Sequence, residues 1–262
     1  MNIVIISASS DIGHDLASRW RRQGERIIGT YRTMSENVRE LMRQEVEVRK
    51  CDLNVAESMT DFANRVNDWD VLLFSPGTMK PIGRFDKVPF SDWKRSVEAN
   101  FISQMELLHK LLERRNRSFP NGPVVIFFAG GGTNSAPVNY SAYTVSKIAL
   151  IKMVELLDAE IPDTRFSIIG PGWVDTKIHR ETLAAGVNAG ENHAKTVQKL
   201  KDKDGMTPQQ TVFDCCNWVI GSPRDVVSGR NFSVVYDKWG EEELAEELKA
   251  DANMFKLRRH KN

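Results

Sequence analysis

The sequence predicts an α/β fold: one doubly wound domain built on a parallel sheet of about seven strands, with helices on both faces. Three observations predict it. Short β-branched runs alternate with longer stretches of helical periodicity along the whole chain. The runs at 3–6 (Ile-Val-Ile-Ile) and 124–128 (Val-Val-Ile-Phe-Phe) are apolar at every position, as strands covered by helices on both sides must be. The chain of 262 residues is long enough to bury a full core, and no repeat, low-complexity tract or linker divides it.

Taken in order, strand 3–7 opens the chain and runs into small residues and then helix 12–23. Strand 26–31 follows, then helix 35–44, strand 46–51, helix 56–67 and strand 71–75. A long helical pattern covers 91–115, strand 124–129 is the most apolar run, and helix 141–160 has regular apolar spacing. Strand 165–169, helix 208–220 and strand 231–235 complete the alternation. Residues 177–205 are polar, contain Gly and Ala, and are weakly periodic, which predicts a substrate lid inserted in the domain. Residues 237–262 read as a C-terminal tail.

Composition narrows the function. Thirty-six basic residues against 35 acidic ones leave a formal net charge of +1, which supplies no electrostatic drive toward nucleic acid or a membrane surface. Cys51, Cys215 and Cys216 have no metal-ligand spacing, and the five histidines are scattered, so no metal is expected. Idle thiols, the absence of a basic leader before strand 3–7 and the absence of a bilayer-length apolar run predict a cytoplasmic protein.

Two places carry chemistry. At residues 7–13 (Ser-Ala-Ser-Ser-Asp-Ile-Gly) a strand gives way to a helix through small side chains. Ser7, Ser9, Ser10, Asp11, Ile12 and Gly13 there either let a backbone cradle approach a phosphate at the helix N-terminus or simply form a Ser/Asp cap. The second strand ends in Tyr31 and Arg32 with no acid. An Arg at that tip suits a ribose 2′-phosphate, hence NADP with NAD as the lesser option; the plain alternative is a surface arginine. Asp52 and Leu53 follow the third strand, where the acid either accepts from an adenine amino group or caps the next helix. In helix 141–160, Tyr143 and Lys147 stand at i and i+4 on one face, where an ammonium favours the phenolate and brings a tyrosine toward useful acid/base behaviour.

With these pieces in order the chain resembles the short-chain dehydrogenase/reductase family over essentially its whole length. Residues 7–13 look like its glycine-rich turn, with Ser7 and Asp11 where glycines are usual. Asp52 matches its adenine-contacting acid. Ser75, Pro76 and Gly77 stand where Asn-Ala-Gly is usual, so only the glycine carries over. Asn100 matches the helix asparagine that holds a water and positions the lysine, and Tyr143 and Lys147 match the catalytic pair. Pro171, Gly172, Val174 and Thr176 match the segment whose threonine binds the nicotinamide carboxamide. The resemblance implies a Rossmann-type fold, a small-molecule substrate, and a homo-oligomer (dimer or tetramer) built on helices 91–115 and 141–160.

One departure stands out. The family's substrate-orienting serine falls thirteen or fourteen residues before the tyrosine, at Gly130 and Ala129, which carry no hydroxyl. Losing such a donor costs on the order of 10²–10³ in rate. Replacement by Thr133 is expected, failing that by Asn134, Ser135 or the backbone N–H groups of Gly130, Gly131 and Gly132; a plain tight turn is the alternative. His179 and His193 in the lid either touch a polar substrate or are solvated, Trp173 walls the nicotinamide or packs the core, and Arg180 and Lys195 either meet a phosphorylated substrate or stay exposed. The Gly-Gly-Gly-Thr turn with its tail Leu257-Arg-Arg259 resembles a family variant from bacterial polysaccharide and sugar-acid gene neighbourhoods, which implies a sugar-like or polyol substrate. The expected activity is therefore NADP-dependent interconversion of a carbonyl and a secondary alcohol. The alternatives are a nucleotide-sugar epimerase or dehydratase with retained cofactor, and a non-catalytic dinucleotide-binding or redox-sensing protein.

Overall fold

The computed structural model describes residues 1–132, 134–203 and 205–259. Seven parallel strands form one sheet in the order β3-β2-β1-β4-β5-β6-β7. They are β1 (Asn2–Ile6), β2 (Arg26–Tyr31), β3 (Glu47–Lys50), β4 (Val71–Phe74), β5 (Val124–Phe128), β6 (Arg165–Gly170) and β7 (Arg230–Ser233), each within two residues of expectation. The order reverses between β1 and β4, and the register pairs Ile6 with Phe74. The loops leaving these two strands therefore splay apart on one edge, which is where a crevice opens in such sheets.

Alternation along each strand divides the core. Ile3, Ile5, Leu73, Ile126 and Phe232 pack on one face with Trp20, Val212, Cys215, Cys216 and Leu248. Val4, Ile6, Leu72, Phe127 and Ile168 pack on the other with Phe62, Leu107, Leu150 and Val154. The first face is covered by α1 (Asp11–Arg22) and, later in the chain, by the helix at Gln209–Gly221; α2 (Glu36–Arg43) leans on α1. The second is covered by α3 (Ala56–Asn64), the α4–α5 unit (Phe90–Val97, Ser103–Leu111) and α6 (Ser141–Glu160). All three cysteines are free and buried, and burial pushes the Cys51 and Cys215 thiols up to about 11 and about 12. Among the described residues no helix is long and apolar enough to cross a membrane, and no group of side chains is arranged to hold a metal.

Three stretches differ from expectation. The pattern over 91–115 is one helix only in outline: a π turn at Glu98–Ile102 separates α4 from α5, and the end tightens into a 3₁₀ turn at Leu112–Arg114. The extra residue in the π turn carries Asn100 to complete burial. The weakly periodic stretch over 177–205 is helical rather than loop-like, with α7 (Lys177–Ala184), a 3₁₀ turn at Gly186–Ala189 and α8 (Glu191–Asp202). Beyond α9 (Gln209–Gly221) and the short α10 (Arg224–Val227), residues read as a tail contain α11 (Glu242–Ala250), which buries Leu244 and Leu248. Buried Arg230 donates to the carbonyls of Met254 (2.6 Å) and Asp251 (3.1 Å), and Arg258 forks onto Glu155 of α6 at 2.6 and 3.0 Å.

Candidate active site

The turn after β1 is built by Ser7, which stands where a family glycine is usual, and by Ser10. Ser7 takes a left-handed conformation at φ 62°, held because its N–H donates to Thr30 Oγ1 (2.8 Å) and its carbonyl accepts from the Ser10 N–H (2.9 Å). Ser10 caps α1 by accepting from the Gly13 N–H (3.1 Å), and its hydroxyl meets that of Ser75 at 3.1 Å. The Ser75 hydroxyl in turn reaches the carbonyls of Ile6 (2.9 Å) and Ser7 (3.0 Å). A Cβ at Gly13 would sit 2.6 Å from both Ser7 O and Ser75 Oγ, so the glycine is required for this closure. The serine cap is thus present, at the N-terminus of α1 beside the crevice. Ser9 offers its carbonyl to Asn37 (3.2 Å), and Ile12 packs on the core.

Asp11 does something the sequence did not suggest. Its Oδ2 accepts from the Lys177 N–H at 2.7 Å, so the acid in a glycine's place caps the first turn of α7 and ties the nucleotide turn to the 177–203 segment. Farther out, Tyr31 ends β2 and Arg32 is exposed, with no hydrogen bond or ion pair to any described residue. Asp52 Oδ1 accepts from Asn54 N–H (3.0 Å) and Nδ2 (2.8 Å), an Asx turn ahead of α3, while Leu53 packs against the second core face.

At the catalytic end, α6 places Tyr143 and Lys147 one turn apart, both buried, with Nζ 5.8 Å from the phenol ring centre. Lys147 donates to the Phe128 carbonyl at 2.8 Å. Asn100 is pinned on both sides of its amide: Oδ1 accepts from the Thr78 N–H (3.0 Å), and Nδ2 donates to the Thr78 carbonyl (2.9 Å) and to Ser96 (3.1 Å). Its own carbonyl, within the π turn, accepts from Gln104 Nε2 at 2.8 Å.

The expected electrostatics of the pair are corrected. The lysine was expected to bring the phenol down toward neutrality. Burial instead pushes Tyr143 well above the usual phenol range, and the Glu181 carboxylate adds to the rise. Burial draws Lys147 down to about 8. The phenol therefore remains protonated at neutral pH and holds its proton more tightly than an exposed tyrosine does.

The missing serine has a structural counterpart. A Cβ on Gly130 would fall 2.7 Å from Cε1 and Cζ of Tyr143 and closer still to its hydroxyl, so the phenol occupies the space of the family's serine side chain. Thr133, the expected replacement, lies outside the described residues. Asn134 and Ser135 are exposed; Gly131 has open space around it.

Thr176 stands at the N-cap of α7 and Val174 is buried, while Pro171 and Gly172 (φ 73°) make the bend between β6 and that helix. Trp173 stacks on His179 at 3.9 Å and is capped on Lys199 at 5.2 Å. His179 is buried, hydrogen-bonded to the Val174 carbonyl (2.9 Å), and drawn below the usual imidazole range by burial. It is a packing histidine, not a solvated one. Thr78, Tyr140 and Glu181 were missed entirely. Glu181 Oε2 accepts from Met79 N–H (2.7 Å) and Thr78 Oγ1 (3.0 Å), and the Tyr140 hydroxyl meets Thr182 Oγ1 at 3.4 Å. The one available signal was the spacing of Ile178, Glu181 and Thr182 at i, i+3 and i+4, a single acid on an inward helix face.

Comparison with known proteins bears on the family and the fold. The family model described as enoyl-(acyl carrier protein) reductase matches residues 6–234. An uncharacterised oxidoreductase of Schizosaccharomyces pombe is 24% identical over 179 residues, 66% of this chain and 71% of that protein. A short-chain dehydrogenase/reductase from Saccharomyces cerevisiae has a similar fold, with TM-score 0.78 at 19% identity over 94% of this chain and 98% of its own. So has a variant of actinorhodin polyketide ketoreductase solved with NADPH, with TM-score 0.73 at 19% identity over 89% of this chain and 95% of that one.

Proposed function

Because the chain belongs to the short-chain dehydrogenase/reductase family and is an oxidoreductase, we propose that it interconverts a carbonyl and a secondary alcohol on a small polar, sugar-like substrate with NADP as cofactor. The observation that carries this reading is the buried Tyr143–Lys147 pair beside an Asn100 locked in a π turn. The serine-capped turn suits a dinucleotide: Gly13 lets the turn close tightly on Ser7, Ser10 and Ser75, and the N-terminus of α1 presents N–H groups of its first turn to an anion. Ser7, Ser9, Ser10, Asp11, Ile12 and Gly13 would line its pyrophosphate, Asp52 and Leu53 its adenine, Ser75, Pro76 and Gly77 the middle of the crevice. Pro171, Gly172, Val174 and Thr176 would line its nicotinamide. The exposed Arg32 at the tip of β2 supports a 2′-phosphate, as does the NADPH in the polyketide ketoreductase.

When bound, the nicotinamide supplies or receives the hydride. In the reducing direction Tyr143 gives its hydroxyl proton to the carbonyl oxygen as that oxygen becomes an alkoxide; its raised pKa keeps it protonated at neutral pH, and the alkoxide is the stronger base. Lys147 stabilises the tyrosinate left behind and binds the ribose. Asn100 steers a water through which the phenol is reprotonated. The residue orienting the substrate oxygen is proposed as Thr133. The segment 177–205 acts as the lid, already tethered at Asp11 and Glu181. The α4–α5 unit and α6 are the proposed surfaces of a dimer or tetramer.

The test is titration with NADPH and NADH followed by a turnover screen of sugars, polyols and ketones. NADPH-dependent reduction that is abolished by Tyr143→Phe is the expected result. Tight NADPH binding with no turnover of any carbonyl would favour a dinucleotide-binding role without catalysis.

A further inference from the structure

The 177–203 segment turns Lys177, Arg180 and Lys195 outward, lays Lys199 over the Trp173 ring, and turns one acid inward. In α7, Ile178, Glu181 and Thr182 share a face. Ile178 Cδ1 lies 3.5 Å from where a Cβ on Gly77 would be, Glu181 Oε2 accepts from Thr78 and Met79 at 3.0 and 2.7 Å, and Thr182 meets Tyr140 at 3.4 Å. Lys177 and Arg180 of the same helix are exposed, and Lys195 pairs with Glu191 on α8 at 3.2 Å. Lys147 is engaged by the Phe128 carbonyl of β5. The charge that the lid brings toward Tyr143 is therefore negative.

Only one oxygen of that carboxylate is used. Oε2 carries both hydrogen bonds to the β4–α4 loop, and Oε1 takes none from any described residue. The same loop is locked to Asn100 through both backbone groups of Thr78. The acid is thus held in place by the loop that borders the reacting centre, not by a counter-ion, and its charge is felt at the Tyr143 hydroxyl.

We propose that Glu181 determines substrate charge: its free oxygen accepts from a hydroxyl or ammonium group of the substrate, and its charge rejects a carboxylate or phosphate beside the reacting carbonyl. The proposal rests on the oxidoreductase reading and restricts the sugar-like substrates to neutral or amino-bearing ones. It also explains why Arg180 and Lys195 find no role in the pocket.

Ethyl acetoacetate and acetoacetate differ in this charge and share a reducible ketone, so their kcat/KM ratio reads it directly. In the unmodified protein the ester should be favoured at least tenfold. Glu181→Gln keeps an acceptor for Thr78 and Met79 but removes the charge, and should shrink that preference at least tenfold while NADPH affinity, the control for folding, stays within twofold. An equal ratio in the two proteins, or a preference for the acid in the unmodified one, overturns the proposal. If neither ketone is reduced although NADPH binds, the oxidoreductase reading fails separately, and isobutyramide against isobutyrate binding to the NADPH complex decides the matter. Preference for the amide that disappears in Glu181→Gln supports the role of Glu181; equal binding of amide and acid in the unmodified protein removes it.

Discussion

Adding a methyl group at Gly130 should damage both the fold and the chemistry, and the two effects are separable. The new Cβ would stand 2.7 Å from two ring carbons of Tyr143, whereas carbon atoms rest at about 3.5–4.0 Å. The ring or β5 must therefore give way by roughly 1 Å in a close-packed region. Overpacking of this kind costs about 1–3 kcal/mol, and restricting the unfolded chain returns about 0.4–1 kcal/mol. The net loss for Gly130→Ala is about 0.5–2 kcal/mol, or a melting temperature lower by roughly 1–8 °C for a domain of this size. Displacing the phenol by about 1 Å should lower kcat by about 10²-fold, with NADPH affinity nearly unchanged because the cofactor turn lies on β1. Thermal melts, steady-state turnover and a cofactor titration read the three quantities. Gly130→Ser should be at least as harmful as Gly130→Ala. A Gly130→Ala protein with unaltered melting temperature and turnover would refute the idea that Tyr143 fills the serine's place. A gain of activity in Gly130→Ser over an inert parent would replace the catalytic reading with a non-catalytic one.

Further outcomes follow from the site and the C-terminal clamp. Tyr143→Phe should reduce turnover by about 10²–10⁴-fold with cofactor affinity retained, and Lys147→Ala should weaken both; substantial activity in Tyr143→Phe removes the proposed proton transfer. NADPH should bind more tightly than NADH, and Arg32→Asp should narrow or reverse the gap; equal affinities in the unmodified protein contradict the role given to Arg32. Arg258 holds the Glu155 carboxyl down at about 2 against an ordinary 4.5, so this clamp is at full strength above about pH 4.5 and is lost as pH falls toward about 2. Arg258→Ala should then cost about 1 kcal/mol in urea denaturation at pH 7, and much less near pH 3; a cost independent of pH would show that packing of the tail, not charge, is what matters.

The strands were legible because each carries its own signal. A sheet covered on both faces demands continuous apolar runs, and β1, β4 and β5 supply them without help from the rest of the chain. Tyr143 and Lys147 were legible for the same reason: their relation is set within one helix. The break at Glu98–Ile102 was not, since nothing in its composition differs from a regular helix. It is fixed by the backbone of Thr78, 22 residues before Asn100, together with the nearby side chain of Gln104. The helices of 177–203 were missed because they are amphipathic only weakly, and α8 buries little beyond Thr196. Their stability comes from tethers at Asp11, Thr78 and Met79, which a local pattern does not contain.

The two departures from the family pattern have a common physical form. At position 11 a glycine is replaced by an acid, and the acid is used to cap α7. Near position 130 the family's serine has a glycine in its place, and the space is taken by the Tyr143 phenol, whose pKa is raised in part by an acid on that same helix. The first change ties the turn to α7, and the second lets a side chain of α6 fill the space after β5. A carboxylate at the turn is tolerable beside a dinucleotide only while Lys177 N–H and the α7 dipole share its charge. A phenol without its serine neighbour needs another group to hold the substrate oxygen, and the candidates lie in the loop after β5 or on α7. Sequence comparison at these positions registers only losses; the structure places a partner opposite each one.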